Sequence, residues 1–248
     1  MPFVVNRGQQ IHYTVDGEGP LVVLQHGLLS SARGWRENGV VAALARDFQV
    51  ACVDALGHGQ SDKPTDAALY AQPQRAADIV AVIDALGAHR ARVAGYSMGG
   101  WTAVGVAKYF PGRMAGLAIG GWDLVNGVAT AQPPAMARPL TFDDLLRTAR
   151  RLAPVLTDWI TPEAEPGLRA CWDAVGDLEG ASEAVLAAPC RVMLWDGRED
   201  PYHDPMQAYA LEHGLRFLSI GGDHLGAMVA HGAEVGAALA DFFKASDG

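Results

Sequence analysis

The residues best suited to chemistry lie in Gly95-Tyr96-Ser97-Met98-Gly99. An apolar run over 91–94 leads into this stretch, and a helix-like stretch over 98–109 leads out. A serine on a sharp strand-to-helix turn stands in strained backbone, with its hydroxyl clear of the sheet edge. Glycines two before and two after keep side chains away from the neighbouring strand and helix. The first helical N–H groups face whatever the serine attacks, so developing negative charge meets donors and a positive helix end. Alone, the pentapeptide reads equally well as a Gly-Ser turn without chemistry, because the pattern is common by chance.

A nucleophilic serine needs a base, and the base needs an orienting acid. Of the eight histidines, His224 is set apart by context: it follows Gly221-Gly222-Asp223, just after the last strand-like run. The acid candidate is Asp200, in Trp195-Asp196-Gly197-Arg198-Glu199-Asp200-Pro201. Asp196 and Glu199 compete with it, and Asp196 abuts the strand, where it could hold the turn instead. The order is Ser, Asp, His, each from a different strand end. Loops leaving the carboxyl ends of such strands share one edge of a sheet.

The elements that must position these residues alternate along the chain. Short strands are expected at 3–6 and 10–15, and buried strands at Leu21–Gln25 and Phe48–Asp54. Further strands are expected at 91–94, Met114–Gly120, Arg191–Trp195 and Leu215–Ile220. Helices are expected at Trp35–Asp47, Gln74–Leu86, Met98–Tyr109 and about 233–243. This rhythm predicts an α/β fold with right-handed crossovers and a mostly parallel sheet. Between 122 and 188 it breaks: no strand-like run occurs, and helices are expected at Thr141–Ala153 and about 163–176. The expected organisation is a catalytic core over 1–121 and 189–248, with a small helical cap over 122–188.

With these motifs in hand, the chain resembles proteins of the α/β-hydrolase fold, among the small bacterial serine hydrolases of esterase type. The match runs from about residue 10 to residue 243, the cap excepted. His26-Gly27 resembles the family's oxyanion turn, and Asp54-x-x-Gly57-x-Gly59-x-Ser61 its structural loop. Gly95-x-Ser97-x-Gly99 matches the nucleophile elbow, Gly197-x-x-Asp200 the acid turn, and Gly222-Asp223-His224 the histidine turn. The resemblance implies an eight-stranded sheet, a Ser97-His224-Asp200 triad, and the Leu28 and Met98 backbone N–H groups as oxyanion donors. Some relatives take the acid from the loop after the sixth strand, which here offers Asp123. His26, Trp101, Trp122 and Trp159 are expected at the substrate pocket. Ser97 at the elbow argues against haloalkane dehalogenases and epoxide hydrolases, which carry an aspartate there.

Composition narrows the partners. Half of the 248 residues are apolar, enough for a sizeable core, and the formal net charge is −9. No Lys/Arg cluster occurs, which argues against nucleic acid and anionic membrane. Three cysteines at wide spacing, Cys52, Cys171 and Cys190, form neither a disulfide framework nor a zinc motif. No metal motif, phosphate loop or complete dinucleotide fingerprint is present, so no cofactor is expected. No apolar stretch reaches membrane-spanning length, and a cytoplasmic location is expected. The expected partner is a small-molecule substrate, and the expected reaction is hydrolysis of a carboxylic ester with an apolar part. C–C bond, lactone and thioester hydrolysis stay open on the same triad, as does a non-catalytic ligand-binding protein on the same fold.

Overall fold

The computed structural model describes residues 2–131 and 140–245. Eight strands form one sheet: β1 (Phe3–Asn6), β2 (Gln9–Asp16), β3 (Leu21–Gln25), β4 (Gln49–Val53), β5 (Ala91–Tyr96), β6 (Met114–Gly120), β7 (Val192–Gly197) and β8 (Arg216–Ile220). Their order is β1-β2-β4-β3-β5-β6-β7-β8. β2 pairs antiparallel with β1 and β4, and every other pairing is parallel. All eight expected strands are present, each end within two residues of its expected place.

The period-2 pleat divides the core in two. On β3, Leu21 and Val23 point into one apolar layer, while Val22 and Leu24 point into the other. β4 repeats this with Ala51 and Val53 against Val50 and Cys52, and β7 with Val192 and Leu194 against Met193 and Trp195. Both faces are therefore covered, which is why these strands read as continuous apolar runs. Cys52 lies inside β4, and burial pushes its thiol up to about 12, so it packs as an apolar side chain.

The helices are α1 (Ala32–Glu37), α2 (Val40–Leu44), α3 (Gln72–Ala85), α4 (Met98–Tyr109), α5 (Phe142–Leu152), α6 (Pro154–Thr157), α7 (Glu165–Asp173), α8 (Ala181–Leu186), α9 (His203–Glu212), α10 (Gly226–Val229) and α11 (Gly232–Lys244). α1, α2 and α11 cover one face; α3, α4 and α9 cover the other. The helix expected over 35–47 is two helices, because the chain turns at Gly39 with φ +89°. α6 and α8 to α10 carry no clear periodic signal in the sequence.

No strand occurs among the described residues of 122–188. α5 opens with a complete capping box: the Thr141 hydroxyl accepts from the Asp144 N–H, and Asp144 reaches back to the Thr141 N–H. Phe142, Leu146 and Ala149 of α5 pack with Ile160 and Leu168 around Leu29, which comes from the loop after β3. This small apolar cluster joins α5 and α7 to the loop after β3. α8 lies against α4 instead, and Ala181 and Val185 join the larger core layer.

Candidate active site

The loop after β5 carries Ser97 at φ +57° and ψ −123°, a conformation that L-residues with a side chain rarely adopt. The surroundings enforce this strain. A Cβ on Gly99 would run into the Gln25 carbonyl, and one on Gly95 into the Gly99 carbonyl. Both contacts are with backbone, which cannot swing aside. Gly99→Ala is expected to destabilise the fold by about 3 kcal/mol or more. Thermal or urea unfolding followed by circular dichroism measures this, and a loss below about 1 kcal/mol would contradict it.

His224 Nε2 lies 2.9 Å from Ser97 Oγ, and His224 Nδ1 lies 2.5 Å from Asp200 Oδ2. The three residues named as nucleophile, base and acid are thus brought into one hydrogen-bonded series. The Asp200 side chain is fully buried, while that of His224 is 31% exposed. Burial alone would raise the Asp200 carboxyl, but the His224 hydrogen bond and charge outweigh it and hold the carboxyl below its ordinary value. Asp200 Oδ1 also accepts the Tyr202 N–H at 3.1 Å.

Asp123 stands elsewhere in its own network. Its carboxylate accepts the N–H groups of Val125 and Asn126, the Asn126 amide and the Thr130 hydroxyl. Those donors close the turn after β6, which is a structural use of the residue. The Glu199 backbone N–H donates to the Gly222 carbonyl at 3.2 Å.

The loop after β3, where the oxyanion turn is expected, is held by two buried histidines. Gly27 lies directly against Ser97: a Cβ there would stand 3.2 Å from the Ser97 Cβ. Leu28 and Met98 line the same cavity as Ser97, and Met98 opens α4, where helical N–H groups lack an internal acceptor. His26 Nδ1 donates to the Gly27 carbonyl while its Nε2 accepts the Ala55 N–H. His58 Nδ1 donates to the Leu56 carbonyl while its Nε2 accepts the Leu29 N–H at 3.3 Å. Leu29 needs such support, because its φ is +67°. Both imidazoles must be neutral to accept in this way, and burial lowers both from 6.5, His58 strongly.

A pH dependence follows. A histidine held neutral in the fold but free to charge when unfolded contributes stability above pH 6.5, and that stability is lost as pH falls below it. The thermal midpoint should therefore drop from pH 7 to pH 5. His58→Gln, which keeps an acceptor that does not charge in this range, should show a shallower drop. Differential scanning fluorimetry against pH checks this, and parallel curves would refute it.

The loop after β4 anchors the same region. Asp54 Oδ1 accepts the Ala32 N–H at the start of α1, and Oδ2 meets His12 Nδ1 and the Gln60 N–H. Ser61 Oγ donates to the Asp54 carbonyl and accepts the His12 N–H.

Two cavities share Ser97, His224, Leu28 and Leu225 in their walls. One of about 240 Å³ runs toward α1, α6 and α10, past His26, Trp35, Leu156 and Met228. The other, about 330 Å³, lies beside α5 among Trp122, Leu145, Trp172 and Tyr202. Of the four aromatic residues expected at the pocket, His26 and Trp122 line these cavities, and Trp101 and Trp159 do not. Trp101 is fully buried: its indole N–H donates to the Asp177 carbonyl at 2.8 Å, and its ring packs beside Arg75. It sits on the inner face of α4, so it fills core. The Trp159 N–H donates to the Leu29 and Leu156 carbonyls, and its ring lies 5.7 Å from His58. It braces the loop after β3 at Leu29.

Sequence reading singled out neither Tyr96 nor Tyr202. The Tyr96 hydroxyl donates to the His224 carbonyl at 2.9 Å, and its ring lies 5.2 Å from the imidazole; the Tyr202 ring packs 5.5 Å from it. Tyr96 occupies a position of the elbow pattern that any residue can fill, so no signal marked it. Among the described residues, no cluster of three or more His, Cys, Asp or Glu side chains is placed to hold a metal ion. No described helix is long and apolar enough to cross a membrane.

Residues 20–170 match the model of a family described by the alpha/beta hydrolase fold. The chain belongs to that family. Epoxide hydrolase B of Mycobacterium tuberculosis is 35% identical over 125 residues, which cover 43% of this chain and 35% of that protein. The chain spans about a third of the length of the curated relatives it matches first. Similarity in structure extends over the whole chain. The enol-lactonase from Burkholderia xenovorans LB400 superposes with a TM-score of 0.78 at 21% identity, covering 98% of this chain and all of that one. A thermophilic esterase from Thermogutta terrifontis does so with a TM-score of 0.78 at 19% identity, covering 99% and 98%. At such identities the likeness concerns the fold. Unlike an aspartate-dependent hydrolase, this α/β-hydrolase fold protein carries a serine at the elbow.

Proposed function

We propose that this protein is a serine hydrolase that cleaves a carboxylic ester, or a related acyl bond, of a small to medium and largely apolar substrate. The observation that carries the reading is the hydrogen-bonded series from Ser97 Oγ through His224 to the buried Asp200, with its hydroxyl end facing two cavities.

His224 Nε2 takes the hydroxyl proton as Ser97 Oγ attacks the acyl carbon. Asp200 keeps the proton on Nδ1 and stabilises the imidazolium that forms. The Leu28 and Met98 N–H groups receive the oxyanion, and the N-terminal end of α4 adds its positive dipole. When the adduct collapses, the acyl–oxygen bond breaks and Nε2 returns its proton to the leaving alcohol. A water molecule, deprotonated by His224, then attacks the acyl-enzyme and frees Ser97 with release of the acid.

Because two differently lined cavities share Ser97 and His224, the preferred substrate places one arm in each. The cap-side cavity, walled by Trp122, Leu145, Trp172 and Val175, suits an aryl or branched aliphatic arm. A panel of p-nitrophenyl and aryl esters, with fluorophosphonate labelling of Ser97, tests the proposal. Turnover of esters and labelling at Ser97 are expected. Tight apolar-ligand binding with neither would overturn catalysis, and turnover of β-diketone-type C–C substrates alone would replace the ester by a carbon–carbon bond.

A further inference from the structure

Behind Asp200 lies a second carboxyl that the reaction scheme leaves unused. Asp196, near the end of β7, is fully buried. Its Oδ1 accepts the Gly197 N–H at 2.8 Å and lies 3.3 Å from the Tyr96 hydroxyl. Its Oδ2 is buried with no donor aimed at it. The Tyr96 hydroxyl joins the two carboxyls, standing 3.3 Å from Asp196 Oδ1 and 3.5 Å from Asp200 Oδ2. A buried carboxylate oxygen without a donor is costly, and two adjacent buried carboxylates without a cation between them are costlier. One proton resolves both problems. Asp200 faces His224 and accepts from it, so Asp200 stays ionised and the proton belongs on Asp196 Oδ2.

We infer that Asp196 is a positioning residue for the triad: a neutral carboxylic acid whose O–H donates to the Asp200 carboxylate and limits how strongly that carboxylate draws on His224. The inference rests on the triad reading above. The groups facing Asp196 agree with it. From β5 comes Tyr96, and from the loop after β7 come Asp200 and Tyr202; from β8 comes its register partner Ser219, whose hydroxyl lies 2.8 Å from Nε2 of His203 on α9. β6 presents Gly120, which carries no charge. Burial first, and the Asp200 charge second, push the Asp196 carboxyl up to about 9. The Gly197 N–H and Tyr96 oppose this and are outweighed. The same burial and the two aspartates push the Tyr96 hydroxyl far up, so it stays a neutral donor.

The test is NMR titration of the His224 ring in the full chain, for wild type, Asp196→Asn and Asp196→Ala, with circular dichroism confirming the fold. An asparagine amide can still donate to Asp200, so Asp196→Asn should leave the midpoint of the ring within about 0.3 unit of wild type. Alanine removes the donor, leaves Asp200 a stronger partner for the imidazolium, and should raise the midpoint by about one unit. Wild type should also show a second inflection near 9, from ionisation of Asp196, that Asp196→Asn lacks. A midpoint that falls in Asp196→Asn would mean that Asp196 is ionised in the native protein and would overturn the inference. So would an unchanged midpoint in Asp196→Ala. If Asp196→Ala fails to fold, the Asn midpoint and the missing inflection decide alone. Fluorophosphonate labelling of wild type runs in parallel: no label at Ser97 counts against the triad, while the ring midpoints still decide the role of Asp196.

Discussion

Ser97→Ala should lower kcat/KM for p-nitrophenyl ester hydrolysis by about 10⁴–10⁶-fold and abolish fluorophosphonate labelling. The size of the effect follows from what remains. Alanine leaves the elbow glycines, the oxyanion loop and both cavities in place, so ester should still bind with a similar KM. What disappears is the only hydroxyl within 2.9 Å of His224 Nε2 in the series described, and with it the acyl-enzyme route. Attack by a water held by His224 gives the residual rate. Rates and intact-mass spectrometry of the labelled protein measure the two effects together. A rate within tenfold of wild type would show that Ser97 is not the nucleophile. Because Ser97 adopts φ +57°, alanine also leaves the backbone strained, and the variant should not be appreciably more stable than wild type.

Asp200→Asn should lower kcat by about 10⁴-fold, whereas Asp123→Asn should change it less than about tenfold. An asparagine at 200 can present its amide N–H₂ to His224 Nδ1. The ring then turns to the wrong tautomer, with its proton on Nε2, where it can no longer accept from Ser97. The imidazolium also loses its charge partner. Asp123 instead spends its oxygens on the turn after β6, where the loss appears as stability: about 1 kcal/mol or more in urea unfolding. Steady-state rates for both variants separate the two roles. A near-normal rate for Asp200→Asn together with a large loss for Asp123→Asn would move the acid to the loop after β6.

All eight strands were legible in the sequence: β3 to β7 are covered on both faces and appear as short runs rich in apolar residues, while β1 and β2, which pair antiparallel, show up as short segments around the Arg7-Gly8 turn. Ser97 and its glycines were legible for a related reason: the close backbone approach at Gly95 and Gly99 admits no other residue, and that leaves a mark in the sequence. His224 and Asp200 were found by their places after strand ends. Between Asp200 and Asp123, however, only tertiary structure decides, through the donors each one meets. The same holds for the four expected pocket aromatics. A tryptophan at 101 or 159 carries no mark of which way its ring turns, and packing sent the first into the core and the second against the loop after β3.

What the sequence by itself determined is the order of elements and the elbow on which the site is built, since these depend on local spacing and on contacts that only glycine permits. What only the tertiary structure decided is the company each polar group keeps. Tyr96 against His224, His58 beneath Leu29, and Asp196 beside Asp200 join residues 29 to 128 positions apart, or carboxyls four positions apart that a turn folds together. No local pattern encodes such meetings, because they arise when strand ends converge on one edge and burial forces each polar group to find a partner.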